Sequence, residues 1–321
     1  MIRVGICGYG NLGRGAEFAV SAAPDMKLVG IFTRRDPSII SANHTVYHID
    51  ELNHMVDHID VLILCGGSAT DLMTQSPKFA SKFNIVDSFD NHNRIPEHFA
   101  NVNQAAMQGK KTAIISSGWD PGIFSLQRVF SEAFLPQGET YTFWGKGVSQ
   151  GHSDAVRRIP GVIDAVQYTI PIETAIAQVR NGELPHLSTR EKHLRVCYVV
   201  AEDPNQESRI REEIETMPDY FQPYDTEVHF LSQEEFNRDH KTAPHGGFVI
   251  RSGSTTSHRH IYEFSLQLDS NPEFTASVLV AYARAAKRLN DVGTFGASTV
   301  LEIPPYLLST KSIDELRKVD L

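Results

Sequence analysis

Gly8-Tyr9-Gly10-Asn11-Leu12-Gly13 follows an apolar run carrying Ile2, Val4 and Ile6, and opens a helical pattern over 11–23 that stops before Pro24. Strand, glycine turn and helix in that order form the G-x-G-x-x-G signature of a dinucleotide-binding βαβ unit. Gly8 permits the tight turn out of the strand, Gly10 lets backbone approach a pyrophosphate, and Gly13 lets the helix lie close to the sheet. The first N–H groups of the helix lack intrahelical acceptors and sit at its positive dipole end, which suits phosphate. Residues 27–32 read as the second strand. The acid expected about twenty residues downstream, which would hold a ribose 2′-hydroxyl, is replaced by Thr33-Arg34-Arg35. Guanidinium forks suit a 2′-phosphate, so the expected cofactor is NADP(H). Asp36 is the alternative acid of the NAD type, displaced beyond the arginine pair and directly before Pro37.

Residues 60–65, 84–88 and 111–116 are further short apolar runs of the kind buried in parallel sheets. Ligands of such sheets bind beyond the carboxyl ends of the strands. That rule gathers 8–13, 66–71, 87–92 and 117–122 around one crevice. Besides the glycine turn with Tyr9, Asn11 and Leu12, the cofactor-facing candidates are Gly67, Ser68, Ala69 and Thr70 from one segment. Asp90, Asn91 and His92 come from a second, and Pro121, Gly122, Ile123 and Phe124 from a third.

The chain has 321 residues, enough for two domains, and is 41% hydrophobic and 21% charged, as ordinary globular proteins are. A net charge of −9 argues against nucleic acid as a main partner. Three cysteines, Cys7, Cys65 and Cys197, make no disulfide framework and read as inert thiols in a reducing compartment. No run has the length of a transmembrane helix, and the chain opens on a strand rather than a signal peptide, so a cytoplasmic protein is expected. After Gly118 the pattern changes. Strands are expected at 139–144, 165–170, 193–200, 226–231 and 261–268, with helices at 171–181 and 204–216. A long helix over 274–290 and a tail helix at 313–319 are expected to pack back on the first domain. The expected fold is therefore α/β. A Rossmann dinucleotide-binding domain covers 1–118, with 272–321 returning to it, and an α+β domain of one mixed sheet covers 119–271.

Several residues outside the fingerprint can carry chemistry. Asp120, in Ser117-Gly118-Trp119-Asp120-Pro121-Gly122, and Asp90, in Ser88-Phe89-Asp90-Asn91-His92, are two carboxylates suited to an ammonium group. The glycine-rich run from Trp144 to Asp154 leads into a helix expected to begin near Ser153. Backbone N–H groups at Gln150 and Gly151 can hold a carboxylate without a cation. Arg195 lies in an expected strand, where an inward guanidinium needs an anionic partner. Thr169 ends another strand, and Pro244-His245-Gly246-Gly247 reads as a flexible histidine loop. No metal is expected: His44/His48 and His54/His58 have i,i+4 spacing, yet no H-E-x-x-H motif or cysteine pair accompanies them. No G-x-S-x-G elbow points to a serine hydrolase, and Cys197 sits on an expected strand rather than beside a base.

Taken together these segments resemble the meso-diaminopimelate dehydrogenases over essentially the whole chain. The resemblance rests on 8–14, Phe-Thr-Arg-Arg at 32–35, Gly-Ser-Ala-Thr-Asp at 67–71, Gly-Trp-Asp-Pro-Gly at 118–122 and Thr-Phe-Trp-Gly at 142–145. It continues through Ser-Gln-Gly-His-Ser-Asp-Ala-Val-Arg-Arg at 149–158, Ala-Val-Gln-Tyr-Thr at 165–169, Met-Pro-Asp-Tyr-Phe at 217–221, Pro-His-Gly-Gly at 244–247 and Asn-Pro-Glu-Phe-Thr at 271–275. It implies NADP-dependent, reversible oxidation of meso-2,6-diaminoheptanedioate at its D-carbon, in a homodimer whose second domain binds substrate and carries the dimer contact. By the same resemblance, Asp90 and Asp120 meet the reacting amino group. Gln150 and Gly151 hold its carboxylate, Trp119, Trp144 and Asp154 line the site, and Thr169, Arg195, His245 and Asn271 bind the distal L-centre. Which of Asp90 and Asp120 is the base stays open. Val148 and Ala243 depart from the family pattern, which has Leu and Met there. Two other readings compete: a relative of the glucose–fructose oxidoreductases, which carry a Glu-Lys-Pro motif absent here, and a non-enzymatic NADP sensor, which needs no polar constellation beyond residue 118.

Overall fold

The strands, in chain order, are β1 (Ile2–Cys7), β2 (Met26–Thr33), β3 (Val46–His48), β4 (Val61–Leu64), β5 (Asn84–Asp87), β6 (Thr112–Ile114), β7 (Gly138–Trp144), β8 (Gly147–Val148), β9 (Val162–Pro171), β10 (His193–Ala201), β11 (Asp225–Phe230), β12 (His245–Thr255), β13 (His258–Leu268) and β14 (Gly296–Ser298). The computed structural model describes residues 1–321 except Asp219, Lys241 and Ala243. The departure from the family pattern at Ala243 thus lies outside the described residues. The chain forms two compact units, Met1–Leu126 with Pro272–Leu321, and Gln127–Asn271.

The first unit is built on a seven-stranded sheet in the order β14-β6-β5-β4-β1-β2-β3, with every neighbouring pair parallel. From β1 the chain proceeds outward through β2 and β3, then returns to lay β4, β5 and β6 on the other side. The strand order reverses between β1 and β4, the place where open α/β sheets bind ligands. Both faces of the sheet are apolar, as parallel sheets require. Val4, Ile6, Ile31, Ile63 and Val86 pack on one face with Val20 of the helix Asn11–Ala22 and Leu279 and Ala283 of the helix Asn271–Asp291. Phe32, Leu62, Leu64 and Ile85 pack on the other with Phe79 and Val102. The helix Asn271–Asp291 is tied in by Arg284, which is buried and makes paired 2.6 Å bonds from Nε and Nη2 to the two carboxylate oxygens of Asp25. That guanidinium holds the Asp25 carboxyl below the usual carboxylate range.

The second unit contains two sheets where one mixed sheet was expected: a four-stranded β11-β10-β9-β8 and a three-stranded antiparallel β13-β12-β7. The reason is β12, which the sequence pattern hides. Its first residues, His245-Gly246-Gly247, belong to the Pro-His-Gly-Gly segment read as a loop, and its end is the polar run Arg-Ser-Gly-Ser-Thr. Only β10–β11 is parallel; β8–β9 and β9–β10 are antiparallel. Val156, Ile159, Ile210 and Ile214 cover one face of the larger sheet, and Val148, Tyr168, Val196 and Phe236 lie on the other. Val148, where the family pattern has Leu, is therefore a core position.

Candidate active site

In the first unit the glycine turn has the close contacts its motif demands. Gly8 adopts φ +97°, and a Cβ at Gly13 would lie 2.1 Å from the Gly8 carbonyl oxygen, so helix and strand end meet backbone to backbone. A Cβ at Gly10 would meet nothing within 4 Å. Gly10 caps the helix with no side-chain hydrogen bond, and no acidic residue stands in its first turn. These N–H groups are presented without a protein acceptor, which fits a pyrophosphate. Asn11 is exposed and Leu12 half-buried at this end. Tyr9 is buried; its hydroxyl donates to Glu17, whose other oxygen accepts from Asn43 N–H at 2.9 Å. Only the backbone of Tyr9 faces the turn.

At the end of β2, Thr33 is buried, and Arg34 and Arg35 are exposed. Arg34 pairs with Asp71 at 2.8 Å, and Arg35 donates to the Tyr9 carbonyl. Asp36 is committed elsewhere: its Oδ1 accepts from Ser38 N–H at 2.9 Å and Ser38 Oγ at 2.7 Å, capping the short turn Pro37–Ile39. Two guanidinium groups stand where an NAD-type carboxylate would be, so the residues present fit a 2′-phosphate.

The next strand ends carry the remaining first-unit candidates. Gly67, Ala69 and Thr70 are exposed, and Ser68 accepts from Asp90 N–H at 3.1 Å. Asp90, Asn91 and His92 are exposed. Trp119, Pro121, Gly122 and Phe124 are buried while Asp120 and Ile123 are half-buried. The Phe124 ring meets Trp119 edge-on at 5.1 Å, and Phe124 N–H donates to the Trp119 carbonyl. Trp119 is thereby fixed beside Asp120.

In the second unit the register of the four-stranded sheet builds a second polar group. Arg195 on β10 stands directly opposite Thr169 on β9, and Gly147 on β8 is opposite Thr169 on its other side. Arg195 is 5% exposed. Its Nη1 donates to Thr169 Oγ1, its guanidinium lies 3.9 Å from the Tyr224 ring centre, and its Nε has no partner among the described residues. No ion pair to Arg195 occurs among the described residues, and burial pushes its pKa below the usual arginine value. A buried cation without a carboxylate costs several kcal/mol, which an incoming anion offsets. His245 opens β12 and packs against the Gly147 backbone: a Cβ at Gly147 would sit 2.6 Å from the imidazole Cγ. Asn271 is half-buried at the start of its helix.

Helix Gln150–Arg157 begins three residues before Ser153, the expected start. Ser149, its cap residue, turns its hydroxyl to His152 Nδ1 at 2.8 Å rather than to the helix backbone. Gln150 and Gly151 are exposed, and a Cβ at Gly151 would meet nothing. Asp154 is exposed and paired with Arg157.

A Ureibacillus thermosphaericus protein named meso-diaminopimelate D-dehydrogenase is 61% identical over 320 residues, covering 99% of this chain and 98% of its own. The chain belongs to the meso-diaminopimelate D-dehydrogenase family. The family model described as the diaminopimelic acid dehydrogenase C-terminal domain matches residues 118–270. The C. glutamicum DAP dehydrogenase solved in complex with DAP superimposes with a TM-score of 0.96 at 48% identity, covering 100% of this chain and 99% of that one. An engineered D-amino acid dehydrogenase bound to NADP+ superimposes with a TM-score of 0.91 at 46% identity, with the same coverage.

Three side chains of this family member escaped the sequence reading. His193 is buried; its Nε2 accepts from Trp144 N–H at 2.8 Å, and its ring stacks on Trp144 at 5.2 Å. Burial, aided by Arg195 and Lys192, pushes its pKa down to about 3. His152 is pushed to about 3 by burial and then Arg195. Both rings are therefore neutral around that guanidinium. Asp87, at the end of β5, is fully buried against His98. Asp87 closes an apolar run while the two histidines sit among polar and charged neighbours, and a pattern of types cannot tell a buried polar side chain from a surface one. The thiols of Cys7 and Cys197 are pushed up to about 12 by burial, so neither is a nucleophile. Among the described residues no group of three His, Cys, Asp or Glu is placed to hold a metal, and no helix is long and apolar enough to cross a membrane.

Proposed function

We infer that the protein catalyses the reversible NADP(H)-dependent oxidative deamination of meso-2,6-diaminopimelate at its D-carbon. The products are L-2-amino-6-oxoheptanedioate, which cyclises to tetrahydrodipicolinate, and ammonia. In the reductive direction the reaction feeds lysine and cell-wall precursors. The observation that carries this reading is the buried Arg195, bonded to Thr169 and with no carboxylate partner among the described residues. An enzyme acting on a simple D-amino acid has no use for such a cation; one whose substrate carries a second, distal carboxylate does.

When bound, the nicotinamide supplies the hydride acceptor. Gly10 and the free N–H groups of the helix start, in the turn shaped by Gly8 and Gly13, would hold the pyrophosphate, and Arg34 and Arg35 the 2′-phosphate. The substrate ammonium must lose a proton before its carbon gives up hydride, and Asp120 or Asp90 accepts it. Water then adds to the substrate iminium carbon and ammonia leaves. Gln150 and Gly151, at an uncapped helix start, offer N–H groups to the D-centre carboxylate. Trp119, Trp144 and Asp154 border the substrate, and Trp144 is held by His193. Arg195, Thr169, His245 and Asn271 take the L-centre. A pocket built for those polar groups rejects analogues lacking them by about 10⁴-fold.

The protein is also proposed to be a homodimer through its second unit. Phe130 and Phe134 are exposed and stacked at 5.9 Å, and Phe134 meets Tyr262 of β13 edge-on at 6.3 Å. A long edge strand with such a patch is stabilised by being covered. We place the reaction in the cytoplasm, where NADPH and free thiols such as these three are maintained. Reduction of NADP+ by purified protein with meso-diaminopimelate tests the reading; absence of turnover would remove it.

A further inference from the structure

Asp90 and Asp120 come from different strand ends, yet both loops hang from one buried carboxylate. Asp87 Oδ1 accepts from Phe89 N–H at 3.1 Å, on the way to Asp90, and from Ser116 N–H at 2.9 Å, on the way to Asp120. The Asp87 carbonyl also accepts from Ser117 N–H at 2.9 Å. Oδ2 accepts from Ser76 Oγ at 2.6 Å and from His98 Nε2 at 2.7 Å. The side chains of Asp87 and His98 are both 0% exposed, and the His98 ring stacks on Phe89 at 4.2 Å. Ser116 holds φ +54°, a left-handed conformation that a serine adopts only when its surroundings impose it. The bond from its N–H to Asp87 is part of that imposition.

We propose that Asp87 is a positioning residue for proton transfer at the D-centre, fixing the separation of the Asp90 and Asp120 backbones through its two oxygens and its carbonyl. The proposal rests on the reading of Asp90 and Asp120 as the D-centre carboxylates. Asp87 does not itself react: both its oxygens are saturated with donors and sealed from solvent. Its effect passes through backbone N–H groups, and a displacement of about 1 Å at a reacting group costs about 10²-fold in rate.

The test is a double-mutant cycle on the full-length enzyme with NADP+ and meso-diaminopimelate. Asp87→Asn keeps the shape and can still accept at Oδ1, while Ser76 and His98 reorient toward the amide. The expected result is a loss of about tenfold or more in kcat/KM, with the dissociation constant for NADPH within about twofold of wild type. In the background of Asp90→Asn or Asp120→Asn, whichever alone costs more, the same change should cost under about threefold, because the proton acceptor it positions is already gone. A role confined to stability multiplies both backgrounds by one factor, and that result would overturn the proposal, as would wild-type kinetics in Asp87→Asn. Ser76→Ala removes one of the carboxylate's donors and serves if Asp87→Asn does not fold. It should lose about threefold with the same non-additivity. Asp90→Asn and Asp120→Asn report on the reading beneath. Wild-type rates in both would sink that reading and the proposal together, whereas losses in both with a uniform Asp87→Asn factor would sink the proposal alone.

Discussion

Replacing Arg195 by Met asks whether that cation exists to bind the distal carboxylate. Arg195 is 5% exposed; its guanidinium contacts Thr169 Oγ1 and the Tyr224 ring, and its Nε has no partner among the described residues. A charge-assisted hydrogen bond is worth about 1.5–3 kcal/mol, and two made by one fork to a carboxylate place the loss near 3 kcal/mol, or about 150-fold in kcat/KM for meso-diaminopimelate. D-alanine has no distal carboxylate, so its kcat/KM should change less than about threefold and the preference for the meso compound should shrink by about two orders of magnitude. Thermal unfolding provides a second reading. Exchanging an uncompensated buried cation for an apolar side chain removes a desolvation cost, so Tm should hold or rise even as activity falls. The assay is initial-rate NADPH formation over a concentration series of each substrate, with a melting curve on the same preparations. Equal losses for the two substrates would refute the carboxylate role, and a Tm lowered by more than about 5 °C would refute the account of an uncompensated charge.

Arg35→Ala should weaken NADPH binding by about 10- to 100-fold and NADH binding by less than about threefold, measured by fluorescence titration; equal losses would remove the 2′-phosphate role. His193 titrates at about 3 when folded against 6.5 for an ordinary imidazole. Below about pH 6.5 the unfolded chain therefore takes up a proton that the folded chain refuses, and stability falls progressively as pH drops toward 3. Between pH 6.5 and about 5 this one residue removes about 2 kcal/mol, with no pH dependence above that window. His193→Gln should make the Tm profile shallower there, with His152 supplying the slope that remains, and an unchanged profile would contradict the shift. Phe134→Glu should halve the mass seen by light scattering if the stacked Phe130–Phe134 patch is the dimer contact; an unaltered mass places the contact elsewhere.

Much of the first unit could be read directly from its residues, because parallel strands buried on both faces leave unmistakable apolar runs. The helix expected at 11–23 is Asn11–Ala22, and the strand expected at 27–32 is Met26–Thr33. The strands β3 and β14 were missed, since three residues carry no period. In the second unit β12 was lost because its glycines approach neighbouring backbone too closely for any side chain, and sequence alone reads them as a loop. A Cβ at Gly246 would lie 2.1 Å from the Leu266 carbonyl oxygen. Arg195 was legible as an inward cation needing a partner. Register then placed Thr169 opposite it, a fact of pairing that no single strand encodes. Asp87 and His193 were illegible for the opposite reason: their donors and acceptors lie far along the chain, at Ser116 and Trp144.

In the proposed reaction hydride leaves one stereocentre of a symmetric skeleton while a cation recognises the other. Initial rates of NADP+ reduction with meso-, L,L- and D,D-diaminopimelate at equal concentration test it most directly. Rapid NADPH formation from the meso isomer, none from L,L and at most about one-hundredth of the meso rate from D,D is the predicted pattern. Turnover of the L,L isomer, or equal rates with meso and D,D, would contradict the account.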